Sequence, residues 1–381
     1  MKIGILTQPL HTNYGGMLQN YALQQVLIKA GHTVETIDWK INPFRRYMSN
    51  IKAHMLAWIN PNKYSNALYQ LNNRERAIIQ SQTNRFINKY INHTNPVTSY
   101  NGFKEIAKNN NYDAYIVGSD QCWRPLYNCF IKAMFLDFTI GYNVKRIAYA
   151  ASFGNDSWEY TNEQTIEFAN LLKQFNLVSV REDSGVELCK NHLDVDAIHV
   201  LDPTMLLTRT DYVKIIENES IPASNGNLFT YILDPSSVKN NFINQVEKEL
   251  GLKAFNVLPK YQAETRTKKN VKKEIEDCVF PSTTEWLRAF LDAEMTIVDS
   301  FHGMIFSIIF NKPFWIIGNK NRGITRFTSL LKVFNLENRL IEENSFDKIN
   351  LHENIDWENV NALLEEKRNQ CINVLYNALK E

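Results

Sequence analysis

Ser300-Phe301-His302-Gly303 stands between two apolar runs, and its histidine is the side chain best placed for proton chemistry. The run before it, Met295 to Asp299, is short and carries β-branched residues, which predicts a buried parallel strand. The run after it, Met304 to Phe310, is apolar on every side, the pattern of a fully buried helix or of a second strand. Asn311-Lys312-Pro313 closes that run before another, Phe314 to Ile317. Read as strand, helix, strand, the pattern puts His302 where a strand's carboxyl end meets a helix's amino end. In open α/β sheets ligands bind there, and the N–H groups of the helix's first turn attract anions. Such a place suits a phosphate or a carboxylate. A histidine that starts a helix and is satisfied by backbone is the competing reading.

Other polar residues and glycines fall in equivalent positions. Asn13, Gly15 and Gly16 follow the apolar run Lys2 to Thr7; Gly118, Ser119 and Asp120 follow Ala114 to Val117. Ser152 and Gly154 follow Arg146 to Ala151, and Arg181 and Glu182 follow Leu177 to Val180. All are expected past the carboxyl ends of strands, so all can face one crevice. Each also has a plainer reading. Asn13 to Gly16 is a turn on composition alone, and Asp120 can cap a helix as readily as touch a sugar hydroxyl. Arg181 can belong to a surface ion pair with Glu182 or Asp183. Trp123 and Trp286 read as core side chains before sugar-stacking platforms. The remaining histidines show no ligand spacing and are assigned no role, and no DxD-like pair at a strand end suggests a metal site.

The elements that must position these residues alternate. Strand runs continue with Thr33 to Ile37 and His199 to Leu201, and then, after a polar stretch, Phe229 to Leu233 and Ala254 to Leu258. Helical stretches lie between them, the signature of mostly parallel sheets flanked by helices. The 381 residues suit two such domains with a cleft. The expected division is 1–210 on the acceptor side, 211–345 on the donor side and a C-terminal helical segment, 346–381, in which Trp357 to Leu379 forms a helix. The linker is placed between Leu206 and Asn225, where Ile221-Pro222 and Asn225-Gly226 supply turn chemistry.

Charge narrows the partners. Lys plus Arg is 42 against 41 for Asp plus Glu, which gives no electrostatic reason to expect a nucleic acid. Five scattered cysteines without CxxC spacing argue against a disulfide framework or a zinc site and for a reducing compartment. The amino-terminal apolar run is too short for a signal sequence or a membrane span, so a cytoplasmic protein is expected. Arg45, Arg46, Lys52 and Lys63, interleaved with aromatic and aliphatic residues, read as an amphipathic helix, or as an acceptor lid or a weak contact with anionic lipid at the inner face of the membrane. The basic run Arg266 to Lys273 reads as a solvated loop.

With these residues assembled, the chain resembles the polysaccharide pyruvyl transferase family. The resemblance rests on GILTQPLHTNYGGMLQNYALQQVL, YIVGSDQCWRP, KRIAYAASFG, SVREDSGVELC, VLDPTMLL, TEWLRAFLDAE, VDSFHGMIFSIIFNKPF and RGITRF, in that order along nearly the whole chain. It implies an α/β fold of two Rossmann-like domains facing a cleft, like glycosyltransferase-B, with the last helix crossing back to the first domain. It implies transfer of a pyruvyl group from phosphoenolpyruvate to two hydroxyls of a sugar in a surface or extracellular polysaccharide, giving a pyruvate ketal and phosphate. The implied partners are that donor and a saccharide acceptor, lipid-linked in one reading, with no other cofactor and no metal. Carried over by position, the catalytic residues are His302 and Arg181. Donor contacts are expected from Ser300, Gly303, Arg322 and Arg326, and acceptor contacts from Asn13, Gly15, Gly16, Ser119 and Asp120. One family member has Arg-Leu-His where this chain has Ser300-Phe301-His302, so the cation beside the histidine falls to Arg322 or Arg326. Two rival functions stay open: a glycosyltransferase of the same shape that uses a nucleotide sugar, and a non-catalytic glycan-binding protein.

Overall fold

A computed structural model describes residues 1–42, 71–261, 274–318, 324–343, 345–346 and 349–380. Arg45, Arg46, Lys52, Lys63, the run Arg266 to Lys273 and Arg322 lie outside them.

Two parallel sheets organise the chain. The first contains β1 (Lys2–Leu6), β2 (Thr33–Thr36), β3 (Ala114–Val117), β4 (Lys145–Ala151), β5 (Leu177–Val180) and β6 (Ile198–His199) in the order β2-β1-β3-β4-β5-β6. The second contains β7 (Leu228–Tyr231), β8 (Ala254–Phe255), β9 (Met295–Val298), β10 (Phe314–Ile317) and β11 (Leu340–Ile341) in the order β11-β10-β9-β7-β8. Strands β3, β7, β9 and β10 are buried along their whole length, as parallel strands covered by helices on both faces must be. That is why they read as continuous apolar runs. The all-apolar stretch after His302 is a helix, Phe301–Ile309, with every residue buried. Strand β11 escaped the sequence reading because two residues carry no periodicity. The strands expected to reach Leu233, Leu258 and Leu201 end earlier, at Tyr231, Phe255 and His199.

Read from its other edge, the second sheet runs β8-β7-β9-β10-β11 and repeats the winding of the first. In each, the chain moves outward in one direction from the central strand and then in the other. The crevices where it reverses lie between β1 and β3 and between β7 and β9, the places where such sheets bind ligands.

One apolar cluster runs through both units: Leu18 and Tyr149 from the first, Phe229, Trp286 and Phe306 from the second, and Leu375 from the last helix. Tyr14 joins the halves. Its ring stacks on Trp286 at 5.6 Å, and its hydroxyl donates to Pro281 O at 2.8 Å. The last helix, Trp357–Lys380, buries Val360, Leu364, Cys371 and Leu375 along one stripe. It packs on the first unit: Tyr376 donates to Val26 O at 3.0 Å and Arg368 to Met205 O at 2.8 Å. All five cysteines are free, and among the described residues no helix is long and apolar enough to cross a membrane.

Candidate active site

The two crevices face each other across a cavity of about 130 Å³. Asn13, Gly15, Asp120 and Gln121 line it from the first unit, past β1 and β3. From the second come Tyr231 and Leu233 at the end of β7, Asp299 to His302 past β9, and Trp286, Arg326 and Phe327 from neighbouring helices. A larger cavity of about 380 Å³ lies elsewhere, beside Arg85, Tyr90 and Glu219. None of the candidate catalytic, donor or acceptor residues lines it, and its Glu219 is already bound by Arg85, Lys89 and Tyr90.

Two helices start at the cavity. Asn13 caps helix Tyr14–Lys29: its Oδ1 accepts from Gly16 N at 3.1 Å, and its Nδ2 lies 3.4 Å from Asp120 Oδ2. Ser300 caps helix Phe301–Ile309, accepting from Gly303 N at 3.1 Å. Each side chain satisfies one of the first-turn N–H groups, and the positive ends of both helix dipoles favour an anion between them. The two helices meet closely because residue 15 is glycine. A Cβ there would lie 2.1 Å from both Cγ and Nδ1 of His302, so any larger residue displaces the imidazole.

Behind the cavity is a buried charge network. Arg181 is 1% exposed. It donates from Nη1 to Asp202 Oδ2 at 2.9 Å and from Nη2 to Asp120 Oδ1 at 3.1 Å, with its guanidinium 4.4 Å from the centre of the Phe301 ring. Asp202 is fully buried; its Oδ1 accepts from Thr204 N and Oγ1, and Ser119 Oγ lies 3.0 Å from its Oδ2. His302 Nε2 is 3.6 Å from the same Oδ2, a charge contact slightly too long for a hydrogen bond, and is buried without a hydrogen-bond partner. Burial alone would raise the Asp202 carboxyl, but His302, Arg181 and Thr204 hold it far below the usual range. Asp120 is likewise lowered: burial opposes ionisation, while Arg181, His302 and Arg326 outweigh it. Arg181 is held above its ordinary value; burial works against its charge and the two aspartates win. Arg326 is pulled down to about 10, first by burial and then by Arg181, and so stays charged near neutrality.

The network separates residues that looked equivalent in sequence. His302, Ser300, Asn13, Gly15, Asp120 and Arg326 line the cavity. Arg181 does not. It follows β5, away from the crevice between β1 and β3, so the residue expected to be catalytic is not part of the cavity wall, and its ion pairs are buried ones with Asp120 and Asp202 rather than a surface pair with Glu182 or Asp183. Ser119, expected as an acceptor contact, is fully buried, and its N–H donates to Gln19 Oε1 at 2.9 Å. Gly16 and Gly303 lie inside their helices, with their N–H groups bonded to the caps, and are not part of the wall. Glu182 is turned inward to Ser152 and Phe153 N. Trp123 is core, stacked on Phe135, whereas Trp286 is both core and cavity wall.

Sequence reasoning passed over Asp202, which follows the run His199 to Leu201, and Asp299, taken as the last residue of a strand. Asp299 accepts from Leu233 N at 2.7 Å, Asp234 N at 3.1 Å and the buried Lys239 Nζ at 2.9 Å, and so holds the loop after β7 against the cavity. An acidic residue at the end of an apolar run was the available signal in both cases. Among the described residues no group of three or more His, Cys, Asp or Glu side chains has metal-binding geometry.

Comparison with solved structures shows other proteins with this two-domain architecture. UDP-GlcNAc 2-epimerase from Methanocaldococcus jannaschii is 13% identical, with 94% of this chain and 95% of that one aligned at a TM-score of 0.52. The MnaA–UDP structure from S. aureus is 10% identical, covers 100% of this chain and 97% of that one, and has a TM-score of 0.53. At such identities the likeness establishes the fold, which is α/β and glycosyltransferase-B-like. No curated protein matches the chain. The family model for polysaccharide pyruvyl transferases matches residues 13–321, from the Asn13 cap through the whole His302 unit, and the chain therefore belongs to the polysaccharide pyruvyl transferase family.

Proposed function

We propose that the protein transfers a pyruvyl group from phosphoenolpyruvate to two hydroxyls of a sugar, forming a ketal and releasing phosphate. The observation that carries this reading is the convergence, on one small cavity, of His302, the charged Arg326 and two helix amino ends. Arg326 and the helix ends suit a ligand bearing both phosphate and carboxylate. His302, as imidazolium, gives a proton to the donor's methylene carbon, which leaves the adjacent carbon electrophilic. A sugar hydroxyl adds to that carbon and its proton returns to His302. Phosphate then departs, and the second hydroxyl closes the ketal, its proton leaving with the phosphate. Asp120 and Gln121, on the opposite wall, are placed to bind the hydroxyls. Arg181 contributes indirectly, by holding Asp120 and Asp202 in place.

The acceptor is a saccharide of a surface or extracellular polysaccharide, lipid-linked and met in the cytoplasm at the inner face of the membrane, and the reaction uses no cofactor or metal. Incubation with phosphoenolpyruvate and a panel of saccharides should release inorganic phosphate. Release of a nucleoside diphosphate from a nucleotide sugar, with no phosphate from phosphoenolpyruvate, would establish the glycosyltransferase alternative. Saccharide binding without either product would leave a non-catalytic binding protein.

A further inference from the structure

The two nitrogens of His302 are in different surroundings. Nε2 is buried and points to Asp202 Oδ2 at 3.6 Å, while the Cγ–Nδ1 edge lies against Gly15, part of the cavity wall. Asp202 cannot turn away from the ring. Arg181 and Ser119 hold its Oδ2, and Thr204 holds its Oδ1 through two bonds. The turn that carries it, Pro203–Leu206, is tied to the last helix by Arg368, which donates to Met205 O and Leu207 O. A carboxylate accepts and does not donate, so whatever proton Nε2 carries stays on the side of Asp202.

We infer that Asp202 is a positioning residue that keeps the proton on Nε2, so that Nδ1, at the cavity wall beside Gly15, is the nitrogen that gives and takes the catalytic proton. This deepens the proposed function and rests on His302 being its general acid. The neutral ring left after proton delivery is then already the tautomer that Asp202 favours, and no ring flip is needed before the hydroxyl's proton returns. The other charged groups around the ring, Asp120 after β3, Arg181 after β5, Asp299 after β9 and Arg326 on the helix Ile324–Phe334, are common to both tautomers.

The test uses the full chain labelled with ¹⁵N-histidine, His302 being the ring signal lost in His302→Gln. At a pH where the ring is neutral, the wild-type spectrum should show Nε2 protonated and Nδ1 bare. 3-Bromopyruvate, a three-carbon acid with its leaving group on the carbon that phosphoenolpyruvate would have protonated, then reports which nitrogen faces the cavity. The attacking nitrogen bonds to that carbon and bromide departs. The expected product is the Nδ1 adduct of His302, and Asp202→Asn should spread the label over both nitrogens. A bare Nε2, an Nε2 adduct or no His302 adduct in the wild type would overturn the inference, whether or not Asp202→Asn folds. Phosphate release together with an Nε2 adduct would remove this inference alone. An Nδ1 adduct with no turnover of phosphoenolpyruvate would remove the donor assignment and leave the geometry of the ring standing.

Discussion

Replacing Gly15 with alanine tests how closely this residue sets the position of His302. The added Cβ would sit 2.1 Å from Cγ and Nδ1 of His302, about 1.4 Å closer than carbon atoms ordinarily approach. Gly15 lies in the first turn of helix Tyr14–Lys29, where alanine favours the helix by up to about 1 kcal/mol. The same Cβ would lie 2.6 Å from His302 Cβ, so the imidazole moves and the start of helix Phe301–Ile309 shifts with it. Overpacking a buried site costs about 1 to 3 kcal/mol, so the two contributions leave a net loss of no more than about 3 kcal/mol. Catalysis has no such compensation. A displacement of about 1 Å in a proton donor costs on the order of 10²-fold in rate. Gly15→Ala should thus fold, with its urea midpoint at or modestly below wild type, and release phosphate from phosphoenolpyruvate at about one hundredth of the wild-type kcat. Wild-type kcat in a folded Gly15→Ala protein would refute the claim that this glycine sets the position of His302.

Two further outcomes follow from the buried network. Arg181→Met leaves Asp120 and Asp202 without their shared cation, which should cost about 3 to 5 kcal/mol in urea denaturation; unchanged stability with a raised KM for the donor would instead make Arg181 a direct ligand. Both aspartates have depressed values in the folded state, because His302 and Arg181 at Asp202, and Arg181 foremost at Asp120, outweigh burial. The unfolded chain therefore takes up their protons first, near pH 4. Their stabilisation is present above that pH and is lost as pH falls toward the folded values, so urea midpoints measured from pH 7 down to pH 3 should fall. They should fall less steeply in Asp202→Asn, and an equal slope in that variant would contradict the assignment.

The sequence carried the strand ends and therefore most of the cavity wall. Ala114 to Val117, Leu177 to Val180 and Phe314 to Ile317 read correctly to the residue because parallel strands buried on both faces are near-continuous apolar runs, broken in these three only by Ser179. Strand order is set by pairings distant in the chain and is not written in any local pattern. Asn13 and Asp120, which flank the reversal between β1 and β3, therefore could not be told from Arg181 and Glu182, which follow strands farther out. That one missing fact made Arg181, buried behind the cavity, an expected catalytic residue. Asp202 was passed over for a related reason: its importance comes from Arg181, Ser119, Thr204 and His302, which approach it from separate elements. Ser119 looked exposed because it follows a strand, yet its hydroxyl faces inward to Ala150 O and Asp202.

The most direct test of the account is turnover of phosphoenolpyruvate with an accepted saccharide in deuterated water, reading the isotope content of the ketal methyl group by mass spectrometry. One solvent-derived deuteron should appear in that methyl group, formed at a rate that falls about 10² to 10⁴-fold in His302→Gln while the fold is retained. A product without the deuteron, or an unchanged rate in His302→Gln, would contradict the claim that His302 protonates the donor.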